Sequence, residues 1–289
     1  MKTLATSASL IAKQIPPRSS YSKKGDNGVV LIVGGSRIYH GAPLLASMAA
    51  MRSGADLAYV AVPKSISIAL RSHSPSLIVL PLPDDRLTVG SVNKLLAMLP
   101  KKVDAAAIGM GLSVAKVEAL VNLVRELDGM GAKVLLDAAA LVPDVLPIIK
   151  GKQVVLTPHA GEFERVFGHN VGKSEKERIE NVKKHASKYK VTVLLKGWTD
   201  VISDGTKVFV NKTHNSAMTV GGTGDVLSGL TAGLLAKGMG PLNASLAGIY
   251  INGAAGNNAY KRLGLHILPT DVIDEIPMVM KKFDRVKRQ

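Results

Sequence analysis

Residues 219–229 read Thr-Val-Gly-Gly-Thr-Gly-Asp-Val-Leu-Ser-Gly, and the chain continues from there as an apolar segment with helical spacing. Gly221, Gly222 and Gly224 allow backbone N–H groups to crowd together at a helix start, where unpaired donors and the helix dipole favour an anion. Asp225 would lie in the first turn, and because a carboxylate repels phosphate, it suits a base for an attacking hydroxyl. A glycine-rich turn whose aspartate only favours the helix start is the alternative. This stretch by itself leaves both interpretations open.

The composition describes a large chain with few aromatic residues. It has 289 residues, of which 46% are hydrophobic and 4% aromatic, and it contains no cysteine. The lack of cysteine excludes disulfides, thiolate metal sites and cysteine nucleophiles. The segment from Met1 to Ala12 is interrupted by Ser and Thr, and it predicts an ordinary helix rather than a signal peptide. No segment is long and apolar enough to span a membrane, and we expect a soluble cytoplasmic protein.

The chain is strongly basic, with a formal net charge of +15 and a pI near 9.9. Such a charge admits nucleic acid as a partner. However, the lysines and arginines are dispersed, and the aromatic residues are too few to provide platforms for base stacking. We therefore favour a positive field that attracts a small polyanion such as a nucleotide.

Short apolar runs alternate with stretches of helical periodicity along the chain. Their continuous apolar character is typical of parallel strands that are covered on both faces. The predicted strands are Val29–Val33, Leu57–Ala61, Leu77–Leu80, Val103–Ile108, Lys133–Leu136, Val154–Leu156 and Val191–Leu195, followed by a hairpin of Val201–Ser203 and Lys207–Val210. The predicted helices are Pro43–Ser53, Ser91–Leu99, Val114–Leu127, Glu162–Phe167, Glu175–Tyr189, Asp225–Leu235, Asn243–Lys261 and Thr270–Lys282. The pattern predicts one doubly wound α/β domain over residues 1–289.

Polar and glycine-containing motifs follow five of the predicted strands. They are Gly34-Gly35-Ser36, Gly109-Met110-Gly111, Asp137, Thr157-Pro158-His159 and Lys196-Gly197. In open α/β sheets, ligands bind beyond the carboxyl ends of the strands. The five motifs therefore predict a single active site at one edge of the sheet.

Individual residues of these motifs have structural alternatives. Lys196 ends a buried strand, where an ammonium group needs either an anion such as phosphate or a route to water. His159 is either a structural hydrogen-bonding group or a site residue, and Asp137 either caps the next helix or holds a magnesium ion through water. No spacing indicates a zinc site, and no Walker A loop, Gly-x-Gly-x-x-Gly turn or Gly-x-Ser-x-Gly elbow is present.

Motifs that run nearly end to end through the chain resemble those of the NAD(P)H-hydrate dehydratase family. Besides the glycine-rich stretch they are Ser20–Gly28, Leu31–Ser36, Tyr39–Pro43, Arg52–Leu57, Leu156–Phe163, Leu194–Gly197 and Tyr250–Gly256. The motif Gly-Gly-Thr-Gly-Asp is shared loosely with other ribokinase-like kinases, whereas Thr-Pro-His-Ala-Gly-Glu combined with Gly-Gly-Ser and His-Gly-Ala-Pro is far more specific. The resemblance implies a ribokinase-like, three-layer α/β/α fold with a central, mostly parallel sheet.

The resemblance also implies a lyase that repairs hydrated NADH or NADPH, here written NADHX and NADPHX, in the (6S) form. The hydroxyl of the hydrate is phosphorylated from a nucleotide, and phosphate, a better leaving group than hydroxide, is then eliminated. Asp225 would deprotonate the hydroxyl, while the Gly221–Gly224 amides neutralise charge on the transferring phosphoryl group. Mg²⁺ is implied without identified ligands. The sequence leaves ADP and ATP open as phosphate donors, with ADP favoured, and the family suggests a homo-oligomer such as a tetramer.

Carried over by position, the family's site residues fall into two groups. Those expected at the hydrate are Ala42, Gly111, His159 and Asp225. Those expected at the adenine nucleotide are Lys196, Gly197, Trp198, Thr199, Asp200, Asn215, Gly221, Gly222, Thr223 and Gly224. No nucleic acid or membrane partner is expected. Because the first predicted strand begins at Val29, we expect no N-terminal epimerase domain of the kind that many relatives carry.

The chain departs from the family pattern near the substrate motifs. Ala139 stands where the family commonly has the second aspartate of Asp-Ala-Asp-Ala-Leu-Asn, and Gly109–Ser113 replaces Gly-Pro-Gly-Leu-Gly. We interpret these changes as lineage variation, because Asp225, His159 and Lys196 persist. Two other functions stay open. A ribokinase-like kinase of a small alcohol or vitamin precursor would accumulate a phosphorylated product, and a basic nucleic-acid-binding protein would bind without turnover.

Overall fold

Ten strands form one continuous sheet in the computed structural model, which describes residues 3–288. A further pair, β2 and β12, forms a separate two-stranded sheet. Within the described residues the strands are β1 (Leu4–Ala5), β2 (Arg18–Ser19), β3 (Val29–Val33), β4 (Leu57–Pro63), β5 (Ile78–Leu82), β6 (Ala105–Ile108), β7 (Lys133–Leu136), β8 (Val154–Leu156), β9 (Thr192–Leu195), β10 (Asp200–Ser203), β11 (Val208–Asn211) and β12 (Val286–Lys287).

Helices connect most of these strands. They are α1 (Ala8–Gln14), α2 (Gly41–Arg52), α3 (Lys64–His73), α4 (Val89–Met98), α5 (Val117–Gly129), α6 (Leu146–Ile149), α7 (Ala160–Phe167), α8 (Glu175–Tyr189), α9 (Thr223–Ala236), α10 (Pro241–Leu263) and α11 (Pro269–Met280). Local signals set their ends. The Ser174 hydroxyl accepts from the Glu177 N–H and so caps α8, while α10 begins at Pro241 and is followed by its C-cap residue Gly264, which has positive φ.

The strand order of the large sheet is β1-β11-β10-β9-β8-β7-β6-β3-β4-β5. From β9 to β5 all neighbours are parallel, and β10 is antiparallel to both β9 and β11. The register of the central pair aligns Val33 of β3 with Ile108 of β6. The carboxyl ends of the parallel strands therefore share one edge, as the five sequence motifs predict.

Both faces of the sheet are covered by helices. Val30 and Ile32 of β3 belong to a core with α1, α2, α3, α9, α10 and α11, whereas Leu31 and Val33 belong to a second core with α4 to α8. Because successive side chains of a strand point to opposite faces, a strand that is buried on both sides must be apolar throughout. This explains the uninterrupted Val-Val-Leu-Ile-Val run of β3 and confirms the predicted three-layer α/β/α architecture.

The packing of α9 on α2 is unusually close because α9 carries glycine where the helices touch. A Cβ atom on Gly229 would overlap the backbone of Ala46, and one on Gly233 would overlap the Ser53 side chain. All residues of α9 from Val226 to Ala236 are buried. The small residues thus let α9 lie against both α2 and the sheet, which fixes the position of its N-terminus.

Most predicted elements are confirmed with shifts of a few residues at their ends. The ranges of β3, β7, β8 and α8 are the predicted ones. The N-terminal helix begins only at Ala8, after a short strand, and Met1 and Lys2 lie outside the described residues. The sequence pattern does not predict helix α3. No helix within the described residues is long and apolar enough to cross a membrane.

The close contact between α2 and α9 can be tested by replacing Gly229 with alanine. Although alanine favours helix by up to about 1 kcal/mol, an added methyl group in a filled contact costs about 1–3 kcal/mol. We expect Gly229→Ala to lower the free energy of unfolding by about 1–2 kcal/mol. Urea unfolding curves of the two proteins measure this difference. Gly129→Ala is the matched control, since Gly129 is a helical glycine with open space around it. Equal effects of the two changes would contradict the packing.

Candidate active site

Two cavities meet at the N-terminus of α9, at the carboxyl edge of the sheet. The first has a volume of about 690 Å³ and the second about 590 Å³. Gly224 lines the first cavity, and its neighbour Asp225 lines the second. The start of α9 is therefore the boundary between two spaces that can each hold a small ligand.

Glycine is required where α9 begins. The N-cap residue Gly222 has a φ of +106°, a conformation that side-chain-bearing residues rarely adopt. A Cβ atom there would also come within 2.7 Å of Pro269 and 2.8 Å of Leu45. The Thr223 hydroxyl donates to the Met218 carbonyl oxygen at 2.9 Å and also lies 3.2 Å from the Val220 carbonyl oxygen, which holds the loop against the helix. The first-turn N–H groups of α9 are thereby presented as anion donors.

A cluster of buried and half-buried charges lies beside this helix start. Lys196, at the end of β9, donates to Asp137 Oδ1 at 2.8 Å, and Glu162 Oε2 lies 3.7 Å from the same ammonium group. The other oxygen of Asp137 accepts from the Ser228 hydroxyl at 2.7 Å. Asp137 is only 2% exposed, so its charge depends on these two donors. Together with Asp225, the cluster holds three carboxylates and one ammonium group.

The cluster changes the acidity of Asp225. Burial raises the pKa of Asp225 to about 7, the negative charges of Asp137 and Glu162 act in the same direction, and Lys196 opposes them. Burial by itself would lower the pKa of Lys196, but Asp137, Glu162 and Asp225 raise it above the ordinary lysine value. Lys196 therefore stays charged. Asp225 is divided between its acid and base forms near neutral pH, which suits a group that accepts and returns a proton.

His159 and Glu162 form a reciprocal cap at the start of α7. His159 Nδ1 accepts from the N–H groups of Gly161 and Glu162, and Glu162 Oε2 accepts from the His159 N–H at 2.9 Å. Because Nδ1 accepts, the proton of a neutral His159 is on Nε2. His159 lines the first cavity next to Lys196. The cap thus has a structural role and also places Glu162 within the charge cluster.

The loop between β9 and β10 is braced from several sides. Asp200 accepts from the Gly197 N–H at 3.0 Å, and Arg178 of α8 donates to the Lys196 carbonyl at 3.3 Å. A Cβ atom on Gly197 would overlap the Arg178 guanidinium group, so a side chain at this position would displace that group. The hydrogen bond to Asp200 also raises the pKa of His214, which lines the first cavity. The loop is therefore held as one wall of that cavity.

The second cavity is shaped by small residues. Gly111 has a φ of +65°, and a Cβ atom on it would come within 2.8 Å of Tyr39 and 3.0 Å of Ala42. Ala139 and the glycines Gly221 and Gly222 line the same space. Since Asp225 also lines it, a ligand in this cavity would have its polar groups next to the partly ionised carboxylate.

The residues expected from the sequence are divided between the two cavities. Lining the first are His159, Lys196, Gly197, Trp198, Asp200, Asn215, Thr223 and Gly224, and lining the second are Ala42, Gly111, Gly221, Gly222 and Asp225. His159 is thus separated from Ala42 and Gly111, with which the sequence grouped it. Thr199 lines neither cavity. It is fully buried and donates to Glu175 at 3.2 Å, and this hydrogen bond connects the β9–β10 loop to α8.

Several site residues are missed by the sequence analysis. Glu162 and Ser228 complete the charge cluster, and His214 and Asn252 line the first cavity. The His-x-x-Glu spacing of the α7 cap could have indicated Glu162, and Ser228 follows Asp225 by three residues on one helix face. His214 and Asn252 carry no such local signal, because loop and helix packing brings them to the cavity.

The donor groups near Asp225 fit a magnesium ion only in part. Within residues 3–288, no group of three or more His, Asp or Glu side chains is arranged to hold a metal ion. The ammonium group of Lys196 already pairs with Asp137. Mg²⁺ commonly takes one or two carboxylates, with waters and ligand phosphates completing its shell. The site therefore fits Mg²⁺ that arrives with a phosphate ligand.

The chain is similar to known proteins over nearly its whole length. The family model described as NAD(P)H-hydrate dehydratase matches residues 30–278. An ADP-dependent (S)-NAD(P)H-hydrate dehydratase of Nitrosopumilus maritimus is 53% identical over 285 residues, which cover 99% of both chains. A protein of the same name from Cenarchaeum symbiosum is 50% identical over 277 residues, or 96% of both chains.

A solved structure has the same fold. The ADP/ATP-dependent NAD(P)H-hydrate dehydratase from Bacillus subtilis, co-crystallised with ATP and Mg²⁺, matches with a TM-score of 0.84. The two chains are 28% identical, and the match covers 98% of this chain and 100% of the other.

The raised pKa of Asp225 makes its ionised form costly to the folded state. The folded pKa of about 7 lies above the ordinary value of 3.8, so the folded state loses stability as the pH rises from about 3.8 to about 7. We expect Asp225→Asn to raise the free energy of unfolding at pH 8 by about 2–4 kcal/mol, since one pKa unit corresponds to ~1.4 kcal/mol. The gain should be smaller at pH 5, and urea unfolding at both pH values measures it.

The exposed Asp144 provides the matched control for this prediction. Asp144→Asn should change the free energy of unfolding by less than about 0.5 kcal/mol at either pH, as surface substitutions usually do. A stability of Asp225→Asn that is equal to or below that of the unmodified protein at pH 8 would show that the carboxylate is not destabilised by its surroundings.

Proposed function

The chain belongs to the NAD(P)H-hydrate dehydratase family, and we propose that it dehydrates (6S)-NADHX and (6S)-NADPHX with ADP as the phosphate donor. The activity is that of a lyase. Support for ADP comes from the names of the two relatives at 53% and 50% identity. The ribokinase-like fold with two cavities that meet at one carboxylate is the arrangement that this reaction requires.

The position of Asp225 between the two cavities carries the proposal. The hydrate occupies the second cavity, where Asp225 lies with Ala42 and Gly111, and the nucleotide occupies the first, where Lys196 and Gly224 lie. A carboxylate with a pKa of about 7 can take the proton of a hydroxyl group at neutral pH. The acceptor and donor of a phosphoryl group thus meet at the N-terminus of α9.

The reaction proceeds in two steps that conserve atoms and electrons. Asp225 accepts the hydroxyl proton of the hydrate, whose oxygen forms a bond to the terminal phosphorus of ADP while AMP leaves. The first-turn N–H groups of α9 stabilise the charge on the transferring phosphoryl group. The carbon–oxygen bond then breaks, phosphate departs with the bonding electrons, and loss of a proton from the adjacent ring carbon forms the double bond of NADH or NADPH.

Lys196 and its partners serve this transfer as a fixed positive charge. Its ammonium group pairs with Asp137 and lies in the first cavity, where it can reach a phosphate oxygen. Ser228 holds the other oxygen of Asp137 and so keeps that carboxylate directed at Lys196. The nucleotide's phosphates would bind between Lys196 and the α9 N-terminus, next to Gly224.

Mg²⁺ would be held mainly by the phosphate oxygens of the nucleotide, with Asp137 and Glu162 as ligands through water. When bound, the ion neutralises phosphate charge. The proposal assigns no further protein ligand to it.

The direct test supplies the purified protein with NADHX, Mg²⁺ and either ADP or ATP and follows the recovery of reduced-nicotinamide absorbance. We expect recovery with ADP, one AMP and one phosphate per NADH, and a loss of about 10³-fold or more in kcat/KM for Asp225→Asn, because proton transfer by a positioned base contributes about 10²–10⁴-fold. Calorimetry should show that this variant still binds ADP.

Asp144→Asn serves again as the control and should keep full activity. A stable phosphorylated product without release of phosphate would favour a kinase of a small alcohol. Absence of turnover with either nucleotide, in a folded protein, would contradict the proposed function.

A further inference from the structure

One residue in the wall of the first cavity carries a buried polar atom that has no hydrogen-bond partner on the protein. Five side-chain atoms of the described residues are buried without a hydrogen bond: Arg178 Nε, both ring nitrogens of His185, Thr231 Oγ1 and Asn252 Oδ1. Of these four residues, Asn252 is the one that lines the first cavity. An unpaired buried acceptor costs about 1–3 kcal/mol, so it requires a partner that the protein itself does not supply.

The backbone of Asn252 is held firmly in place. The next residue, Gly253, packs closely against the loop that precedes α9, because a Cβ atom on Gly253 would overlap the Thr213 carbonyl oxygen. One turn earlier, Gly248 packs in the same way against Thr231 of α9. Asn252 is only 4% exposed. Oδ1 itself is buried, so the amide group must turn about its last torsion, which is broad for asparagine, to present this oxygen to the cavity.

The neighbours of Asn252 in the cavity indicate which part of a nucleotide lies there. Met218, Leu227 and Ile249 line the cavity beside it, and they form apolar surface that suits a flat base and disfavours phosphate. The cationic and N–H groups that suit phosphate belong instead to Lys196 and to the α9 N-terminus. An unpaired acceptor also needs a donor, and phosphate oxygens donate no hydrogen bond.

We propose that Asn252 recognises the base of the nucleotide by accepting a hydrogen bond from the 6-amino group of adenine. Adenine presents this donor next to a ring-nitrogen acceptor, so an amide can bind both at once. Asn252 would thereby determine the preference for adenine nucleotides. The inference rests on the proposed function only in taking the first cavity as the nucleotide site.

The test combines a change in the protein with a change in the ligand. Dissociation constants are measured by calorimetry for ADP and for purine riboside 5′-diphosphate, which lacks only the 6-amino group. For the unmodified protein we expect ADP to bind at least tenfold more tightly. Asn252→Leu, similar in size but without hydrogen-bonding atoms, should bind the two nucleotides equally, because the discrimination depends on the amide oxygen.

Thr231→Val is the matched control, because it removes another unpaired buried oxygen that lines neither cavity. This variant should keep the preference for ADP. If Asn252→Leu fails to fold, as judged by circular dichroism, Asn252→Ala replaces it in the same measurement.

The possible failures are distinguishable. If the unmodified protein binds neither nucleotide, the proposed function is wrong. If it prefers ADP and the Asn252 variants keep that preference, the assignment of Asn252 is overturned while the nucleotide site stands. If the variants lose instead the discrimination between ADP and 2′-deoxy-ADP, Asn252 recognises the ribose, and the assignment to the base is overturned.

Discussion

The chemistry of this protein depends on one half-buried carboxylate, Asp225, whose pKa is raised first by its burial and then by two buried carboxylates that a single lysine only partly neutralises. Asp137 forms an ion pair with the ammonium group of Lys196 at 2.8 Å. The site around Asp225 therefore disfavours a second negative charge. Were Lys196 absent, Asp137 would be an uncompensated buried charge, which is strongly destabilising. Were Asp137 absent, the lysine would attract Asp225 and lower its pKa. The balance keeps Asp225 available as a base at neutral pH.

This balance is possible because the fold brings distant segments to one edge of the sheet. Asp137 follows β7, Glu162 lies in the first turn of α7 after β8, Lys196 follows β9, and Asp225 opens α9. The position of α9 in turn depends on Gly229 and Gly233, which allow it to lie against α2. A bulkier interface would displace the N-terminus of α9 from the lysine, so helix packing away from the charge cluster also sets the geometry of the site.

Much of the fold follows from local patterns, but the side-chain pairing does not. Buried parallel strands such as β3 are apolar throughout, and their ranges are therefore predictable. Helix α3 escapes prediction because its apolar residues Ile66, Ile68 and Leu70 alternate as in a strand, and Ile68 proves to be 72% exposed. For Asp137 the sequence left a cap and a magnesium ligand open. Its pairing with Lys196, fifty-nine residues away, depends on the order of the strands.

For the residues that line the two cavities, too, the sequence gives some information and the structure gives the rest. The sequence places Gly111 in a motif at a strand end, and the structure gives the physical reason for glycine there, a positive φ and a close contact with Tyr39 and Ala42. Trp198 and Asn215, which the resemblance assigns to the nucleotide, both line the first cavity. Asn252 could not be identified from the sequence, because only three-dimensional packing shows that its oxygen lacks a partner.

The most direct test of the mechanism follows one oxygen atom. NADHX with ¹⁸O in its ring hydroxyl is converted with ADP and Mg²⁺, and the released inorganic phosphate is examined by mass spectrometry. If the hydroxyl oxygen attacks the terminal phosphorus and leaves as phosphate, each phosphate released should carry one ¹⁸O atom. Recovery of the label in water, with unlabelled phosphate, would show that the hydroxyl leaves without being phosphorylated and would contradict the role assigned to Asp225.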